Sequence, residues 1–159
     1  MAQTENAMQK WLDGQISLGA AARWDKDEIR IISEIAYSLA QQGRNQEAVL
    51  IFEGLIAVSP GTAYFQSALG ALHLRIGDFA QAIERFNAAI LIEPNDIVAL
   101  VNRGEAYIKA GNIPEGRKDL EKALSIAKLL PAKQYDVNDE TQLTVKRARA
   151  LLQVYKQLT

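Results

Sequence analysis

The small and turn-forming positions of this chain recur at a step of 34 residues. The repeated glycines are Gly43, Gly77 and Gly111, and the small residues seven positions ahead of them are Ala36, Gly70 and Gly104. A repeat of this length is typical of two antiparallel helices that stack on the next pair. The pattern therefore predicts an all-α protein with three units, at 29–62, 63–96 and 97–130.

The middle unit indicates which kind of repeat this is. Its positions that match a tetratricopeptide repeat are Leu69, Gly70, Gly77, Ala82, Phe86, Ala89 and Pro94. We expect Gly70 to be small because two helices cross closely there, and Phe86 to fill the space towards the next pair. Gly77 suits the left-handed conformation that ends a first helix, and Asp78 can cap the second. The predicted fold is three tetratricopeptide repeats stacked as a right-handed superhelix.

The outer units depart from this pattern. In the first, Leu55 replaces an alanine. In the third, Gly116 and Leu120 replace the alanine and the phenylalanine, and Arg103 occupies a usually apolar position. Terminal repeats deviate because one of their faces meets a cap or solvent. The third unit is therefore interpreted as a degenerate repeat.

Further helical segments flank the repeats. Residues 1–28 contain Met8, Trp11 and Leu12 as an amphipathic patch that is too short to be stable alone, so it must dock on the repeats or on another chain. Residues 131–159 are predicted to be a linker and a C-terminal capping helix. The apolar stripe expected to cover the third repeat is Leu143, Ala150, Leu151, Val154 and Leu158.

The first helix of each repeat is expected to line a concave groove. The predicted peptide-binding residues are Ser33, Tyr37, Ala40, Tyr64, Ser67, Ala71, Leu74, Arg75, Val98, Val101, Glu105 and Ile108. Many are apolar or aromatic, and contiguous exposed apolar surface marks partner sites. With few basic residues among them, an extended or partly helical apolar segment is favoured over a carboxylate terminus. Alternatively, a terminal segment of the chain folds across the groove, and these residues are core.

Composition narrows the classes of function. The chain contains no cysteine, which excludes disulfides, iron–sulfur clusters and thiolate zinc sites. A formal net charge of -1 argues against broad binding of nucleic acid or anionic lipid. No run approaches the roughly 20 apolar residues of a membrane helix, and residues 1–13 do not resemble a signal peptide. We expect a cytoplasmic protein with no cofactor, no nucleic-acid partner and no stable membrane insertion.

No catalytic or metal-binding constellation is predicted. His73, the only histidine, occupies a position that faces the interior of a helix pair, and no motif places a serine or an acid beside it. Glu93 and Asp96 flank a turn, where acidic residues cap helices more often than they bind metal. The basic residues of 146–149 are expected to form the solvated face of the last helix. An enzyme is therefore not expected.

A second pattern lies ahead of the repeats. Its residues are Ala7, Met8, Trp11, Leu12, Gly14, Ser17 and Leu18. With this opening the chain resembles the class II chaperones of bacterial type III secretion, the tetratricopeptide proteins that hold pore-forming translocators before export. The resemblance implies a chaperone that binds an extended stretch of a hydrophobic translocator in its groove, and a homodimer formed through the region of Met8, Trp11 and Leu12. Ser33 and Ala40 stand where that family has bulkier groups, which implies a wider pocket or a different cargo.

A generic tetratricopeptide adaptor that joins proteins in an assembly is the alternative function. Co-expression separates the two, since a chaperone keeps an otherwise insoluble partner soluble, whereas an adaptor binds partners that are already soluble. For a groove-binding protein, Leu74→Glu and Val101→Glu are expected to weaken binding and leave the fold helical.

Overall fold

The computed structural model describes residues 25–129 and 140–156. These residues form α1 (Lys26–Gln41), α2 (Asn45–Val58), α3 (Ala63–Ile76), α4 (Phe79–Ile92), α5 (Ile97–Lys109), α6 (Ile113–Leu129) and α7 (Glu140–Lys156). The all-α fold of stacked helix pairs is thereby confirmed. The expected N-terminal patch of Met8, Trp11 and Leu12 lies outside the described residues.

Each helix packs on the next one along the chain. Three hydrophobic clusters follow one another: the first joins α1, α2 and α3, the second joins α4 to α5, and the third joins α5, α6 and α7. Phe52 lies in the first cluster, Phe86 in the second and Leu120 in the third, and all three side chains are buried. The core therefore runs along the stack and does not collect at one centre.

Glycine is required at the turn inside each helix pair. Gly43, Gly77 and Gly111 have φ angles of 80°, 86° and 89°, in the left-handed region that residues with a Cβ rarely adopt. Asp78 follows the second of these turns and accepts a hydrogen bond from the Gln81 amide at 3.2 Å. The predicted helix end and helix cap of the middle repeat are both confirmed.

Small residues mark where the helices of a pair cross. A Cβ at Gly70 would lie 2.9 Å from the Phe86 ring, as the close crossing of α3 and α4 predicts. The deviant Gly116 has the same role between α5 and α6, because a Cβ there would lie 2.6 Å from both the Gly104 carbonyl oxygen and an Ile108 carbon. The third helix pair thus replaces alanine by glycine to bring its backbones together.

Arg103 ties three helices together. Its Nε and Nη2 donate to the Asp119 carboxylate on α6, both at 2.7 Å, and its Nη1 donates to Asn87 Oδ1 on α4 at 2.7 Å. The hydrogen bonds to Asp119 raise the pKa of Arg103 above its usual value. An arginine at this usually apolar position is therefore paired with a nearly buried acid.

The capping helix α7 buries a face that matches the predicted stripe only in part. Val145 and Ala148 join the core cluster of α5 and α6. Of the expected stripe, Leu151 packs against this cluster, whereas Leu143 is 71% exposed and Ala150 and Val154 are also exposed. The prediction was wrong for the exposed members because α7 carries apolar residues on two sides, and spacing alone does not tell which side is buried. Leu158 lies outside the described residues.

Among the helices within residues 25–129 and 140–156, none combines the length and apolar character needed to cross a membrane.

Candidate functional site

An open cavity of about 750 Å³ lies between the first helices of the repeats. Its walls come from α1, α3 and α5, with the α4–α5 turn at one edge and Phe52 of α2 reaching its floor. The predicted groove residues that line it are Tyr37, Ala40, Tyr64, Ser67, Ala71, Arg75 and Val98. Since the repeat step places these side chains on the same face of successive helices, they converge although they come from distant parts of the sequence.

Two tyrosines form an exposed aromatic wall in this cavity. Tyr37 of α1 is 55% exposed and Tyr64 of α3 is 52% exposed. The Tyr64 ring is held edge-on against Phe52, with ring centres 6.4 Å apart and planes at 71°, and it also contacts Phe65 at 5.8 Å. The cavity thus offers aromatic surface with a fixed position at Tyr64.

Arg75 lines the cavity near the C-terminal end of α1. Its Nη1 donates to the Ala40 carbonyl oxygen at 2.6 Å, across from α3 to the last turn of α1. The C-terminal carbonyls of a helix carry partial negative charge, so a guanidinium is favourable there. Part of the hydrogen-bonding capacity of Arg75 is therefore used inside the protein.

The remaining predicted groove residues do not line the cavity. Val101 and Ile108 lie in the core cluster that α7 completes, and Leu74 packs against the cluster of α4 and α5. Ser33 is half-buried on α1, and its hydroxyl donates to the Arg30 carbonyl oxygen at 2.7 Å. At the third repeat, a terminal segment does cover the groove helix, as the alternative prediction proposed. The helix α7 packs on α5, and Val101 and Ile108 are therefore core residues.

Glu105 faces α7 and not the cavity. One of its carboxylate oxygens lies 3.0 Å from Lys109 Nζ and the other lies 3.8 Å from Arg147 Nη1. The Arg147 guanidinium also donates to Asn102 Oδ1. Arg147 is exposed, as expected of a solvated basic face, and it also connects α7 to α5 through these two side chains.

The sequence did not indicate that Asn102 and the α4–α5 turn line the cavity. Asn102 is only 8% exposed, yet it lines the cavity beside Val98. Pro94 and Asn95 contribute the turn edge. The available signal for Asn102 was its position one helical turn after Val98, a predicted groove residue.

The residues considered for chemistry have structural roles. Asp96 Oδ1 accepts from the amides of Val98 and Ala99 at 2.9 and 3.1 Å, which confirms it as the cap of α5. His73 is 12% exposed at its side chain, and its Nδ1 lies 3.8 Å from Asp78 Oδ2. Asp96 lines the cavity and caps α5 at the same time, whereas His73 is not among the lining residues.

Comparison with known families finds tetratricopeptide repeats. Two tetratricopeptide-repeat profiles match residues 34–97 and 73–129. Among curated proteins, Hsp70-Hsp90 organizing protein 3 of Arabidopsis thaliana is 40% identical over 48 residues, which are 30% of this chain and 9% of that protein. The organizing protein of Triticum aestivum is 31% identical over 78 residues, which are 49% of this chain and 13% of that protein. The chain thus spans a small fraction of these relatives.

Solved structures share the fold over most of the chain. The type III secretion translocator chaperone SycD of Yersinia enterocolitica has a TM-score of 0.77 at 16% identity, covering 87% of this chain and 98% of its own. A type III secretion complex from Aeromonas hydrophila has a TM-score of 0.80 at 20% identity, with 96% of both chains covered. PcrH in complex with the chaperone binding region of PopB has a TM-score of 0.70 at 20% identity, covering 79% of this chain and 95% of its own.

Proposed function

Because the chain belongs to the tetratricopeptide-repeat family, we propose that it is a non-enzymatic chaperone that holds an extended segment of a hydrophobic type III secretion translocator. The segment lies in the cavity between α1, α3 and α5, and the chaperone acts in the bacterial cytoplasm. By binding the unassembled translocator, it lowers the concentration of free translocator and so suppresses aggregation.

The cavity is the observation that carries this proposal. Its volume of about 750 Å³ can hold several side chains of a bound segment. The exposed rings of Tyr37 and Tyr64 supply apolar contact at low conformational cost, since aromatic side chains have few rotatable bonds. PcrH, which shares this fold, has been crystallised with the chaperone binding regions of PopB and of PopD.

An adaptor that joins proteins in an assembly is the second candidate, and the similarity to Hsp70-Hsp90 organizing proteins favours it. A tetratricopeptide domain bound to an HSP90 peptide also shares the fold, with a TM-score of 0.63. Binding of a terminal carboxylate calls for clustered cations. In the described part of the chain, Arg75 is the one lysine or arginine that lines the cavity, and it already donates to Ala40. The chemistry of the cavity therefore favours an apolar internal segment.

Co-expression with any translocator that is encoded beside this gene tests the proposal. The expected result is that a translocator insoluble alone becomes soluble and co-purifies with this protein. Binding only of partners that are already soluble on their own would support the adaptor instead. Failure of every neighbouring translocator to co-purify would contradict the chaperone function.

Variants locate the binding surface. Tyr37→Glu places a carboxylate on the aromatic wall and is expected to reduce affinity for the co-purified translocator by at least about tenfold, because aromatic contacts dominate such interfaces. Leu50→Glu is the matched control, since Leu50 is 68% exposed on α2 and does not line the cavity. Circular dichroism checks that both variants stay helical. Equal affinity of the two variants would place the site elsewhere.

A further inference from the structure

One side chain of α7 reaches across to a residue of the cavity lining. Arg147 donates to Oδ1 of Asn102, and Asn102 belongs to α5 and faces the cavity. Val101, the neighbour of Asn102, packs in the cluster that contains Val145 and Ala148 of α7. The position of α7 and the orientation of the Asn102 side chain are thus coupled.

The chemistry of the two groups fixes which way the Asn102 amide points. A guanidinium has only donors, so the atom of Asn102 that meets Arg147 must be the amide oxygen. The amide nitrogen, with two N–H donors, is then the other branch of the side chain. No described residue accepts a hydrogen bond from this nitrogen, and it is not among the buried atoms that lack a partner. Its donors are therefore accessible at a side chain that lines the cavity.

We infer that Arg147 is a positioning residue that holds the Asn102 amide so that its N–H donors meet a backbone carbonyl of the bound segment. This inference rests on the proposed function. An extended segment in an apolar cavity carries backbone carbonyls that lose their water on binding, and an unpaired buried carbonyl is costly. Asn102 supplies the donor that an otherwise apolar wall of Val98 and Ala71 lacks.

The arrangement distinguishes the Asn102 amide from Arg75 and Asp96, two other polar residues of the cavity lining. One donor of Arg75 is already occupied by the Ala40 carbonyl oxygen, and the Asp96 carboxylate accepts from amides of α5. Glu105 pairs with Lys109 and Arg147 outside the lining. An uncharged amide held by Arg147 suits a neutral carbonyl and makes no demand on the side chain of the bound residue.

The first test needs no bound segment. In the full-length protein, NMR relaxation of the Asn102 side-chain amide is expected to show a rigid group that becomes mobile in Arg147→Met. Arg149→Met is the matched control, because it removes the same charge from the same helix at an exposed position. An Asn102 amide that is equally mobile in wild type and in Arg147→Met would overturn the inference, whatever the protein binds.

The second test separates the donor from the tie to α7. In Asn102→Asp the carboxylate keeps the contact with Arg147, now strengthened by charge, but has no N–H to offer. The probe is an acetylated and amidated synthetic peptide of the translocator segment that co-expression identifies. Calorimetry is expected to show affinity about tenfold lower for Asn102→Asp, several-fold lower for Arg147→Met and unchanged for Arg149→Met, as loss of one hydrogen bond predicts.

The outcomes of the second test bear on different statements. An Asn102→Asp variant that is as stable as wild type and binds the peptide equally well overturns the inference, and the proposed function stands. If no translocator peptide binds the wild-type protein, the proposed function fails and the inference with it. The same peptide with a free carboxylate is expected to bind no tighter than the amidated one. Much tighter binding of the free acid would assign the Asn102 donors to a chain terminus and overturn the backbone-carbonyl inference.

Discussion

Gly116 is the residue at which the packing of the third helix pair leaves the least room. A Cβ there would lie 2.6 Å from the Gly104 carbonyl oxygen, which is backbone and cannot rotate away. Gly116→Ala must therefore push α5 and α6 apart and is expected to lower the free energy of unfolding by about 3 kcal/mol. Urea denaturation measures the change.

Gly54 provides the control for this substitution. It lies inside α2, and nothing comes within 4 Å of a Cβ built on it. Gly54→Ala is expected to raise the free energy of unfolding by roughly 1 kcal/mol, because alanine has the higher helix propensity. Equal effects of the two alanines would show that α5 and α6 are not in close contact at Gly116.

Residues with local roles were the most predictable from the sequence. Gly77 and Asp78 act within one turn of chain, so the left-handed conformation and the cap follow from residue type and position. The roles of Gly116 and Arg103 depend on a neighbouring helix, and at sequence level both residues were interpreted only as deviations. Their partners Gly104 and Asp119 became evident once α5 and α6 were placed side by side.

At the scale of the helix, periodicity predicts that an element exists but not how it is rotated. In α7 the core receives Val145 and Ala148, whereas Leu143 is largely exposed. The rotation is set by contacts from outside the helix, including the pairing of Arg147 with Asn102. For the same reason, the sequence did not predict that Val101 is buried beneath α7. Glutamate at Val101 would bury a charge and destabilise the fold, so it does not test binding.

A pair of alanine substitutions in α7 tests its rotation. Val145→Ala removes two methyl groups from the core and is expected to lower the free energy of unfolding by about 2 kcal/mol. Leu143→Ala removes a larger side chain from an exposed position, and a change within about 0.5 kcal/mol is expected. Thermal or urea denaturation of the two variants decides between the faces. A larger loss for Leu143→Ala would mean that α7 presents its other side to the third repeat.

At the scale of the whole molecule, the described part of the stack ends at α1 with an exposed apolar face. Ile31 and Ile35 stand one repeat before Phe65 and Leu69, which are buried against the preceding helix pair. Among the described residues no pair precedes α1, and both isoleucines are 50% exposed. In a stack where each unit is stabilised by its neighbours, such a face needs a cover. A crystal structure of SycD shows an alternative dimer. We propose that this chain is a homodimer in which its N-terminal region takes part.

Deletion of residues 1–20 tests this proposal at the same scale. Met8, Trp11 and Leu12 are then absent, and large aromatic side chains are enriched at interfaces between subunits. Sedimentation equilibrium is expected to show a dimer for the full chain and a monomer for the deletion variant, with the helical signal of the repeats retained. If the segment covers only its own α1, the deletion will lower the melting temperature without changing the mass of the particle. A dimer that persists after the deletion would exclude the N-terminal region as the contact between subunits.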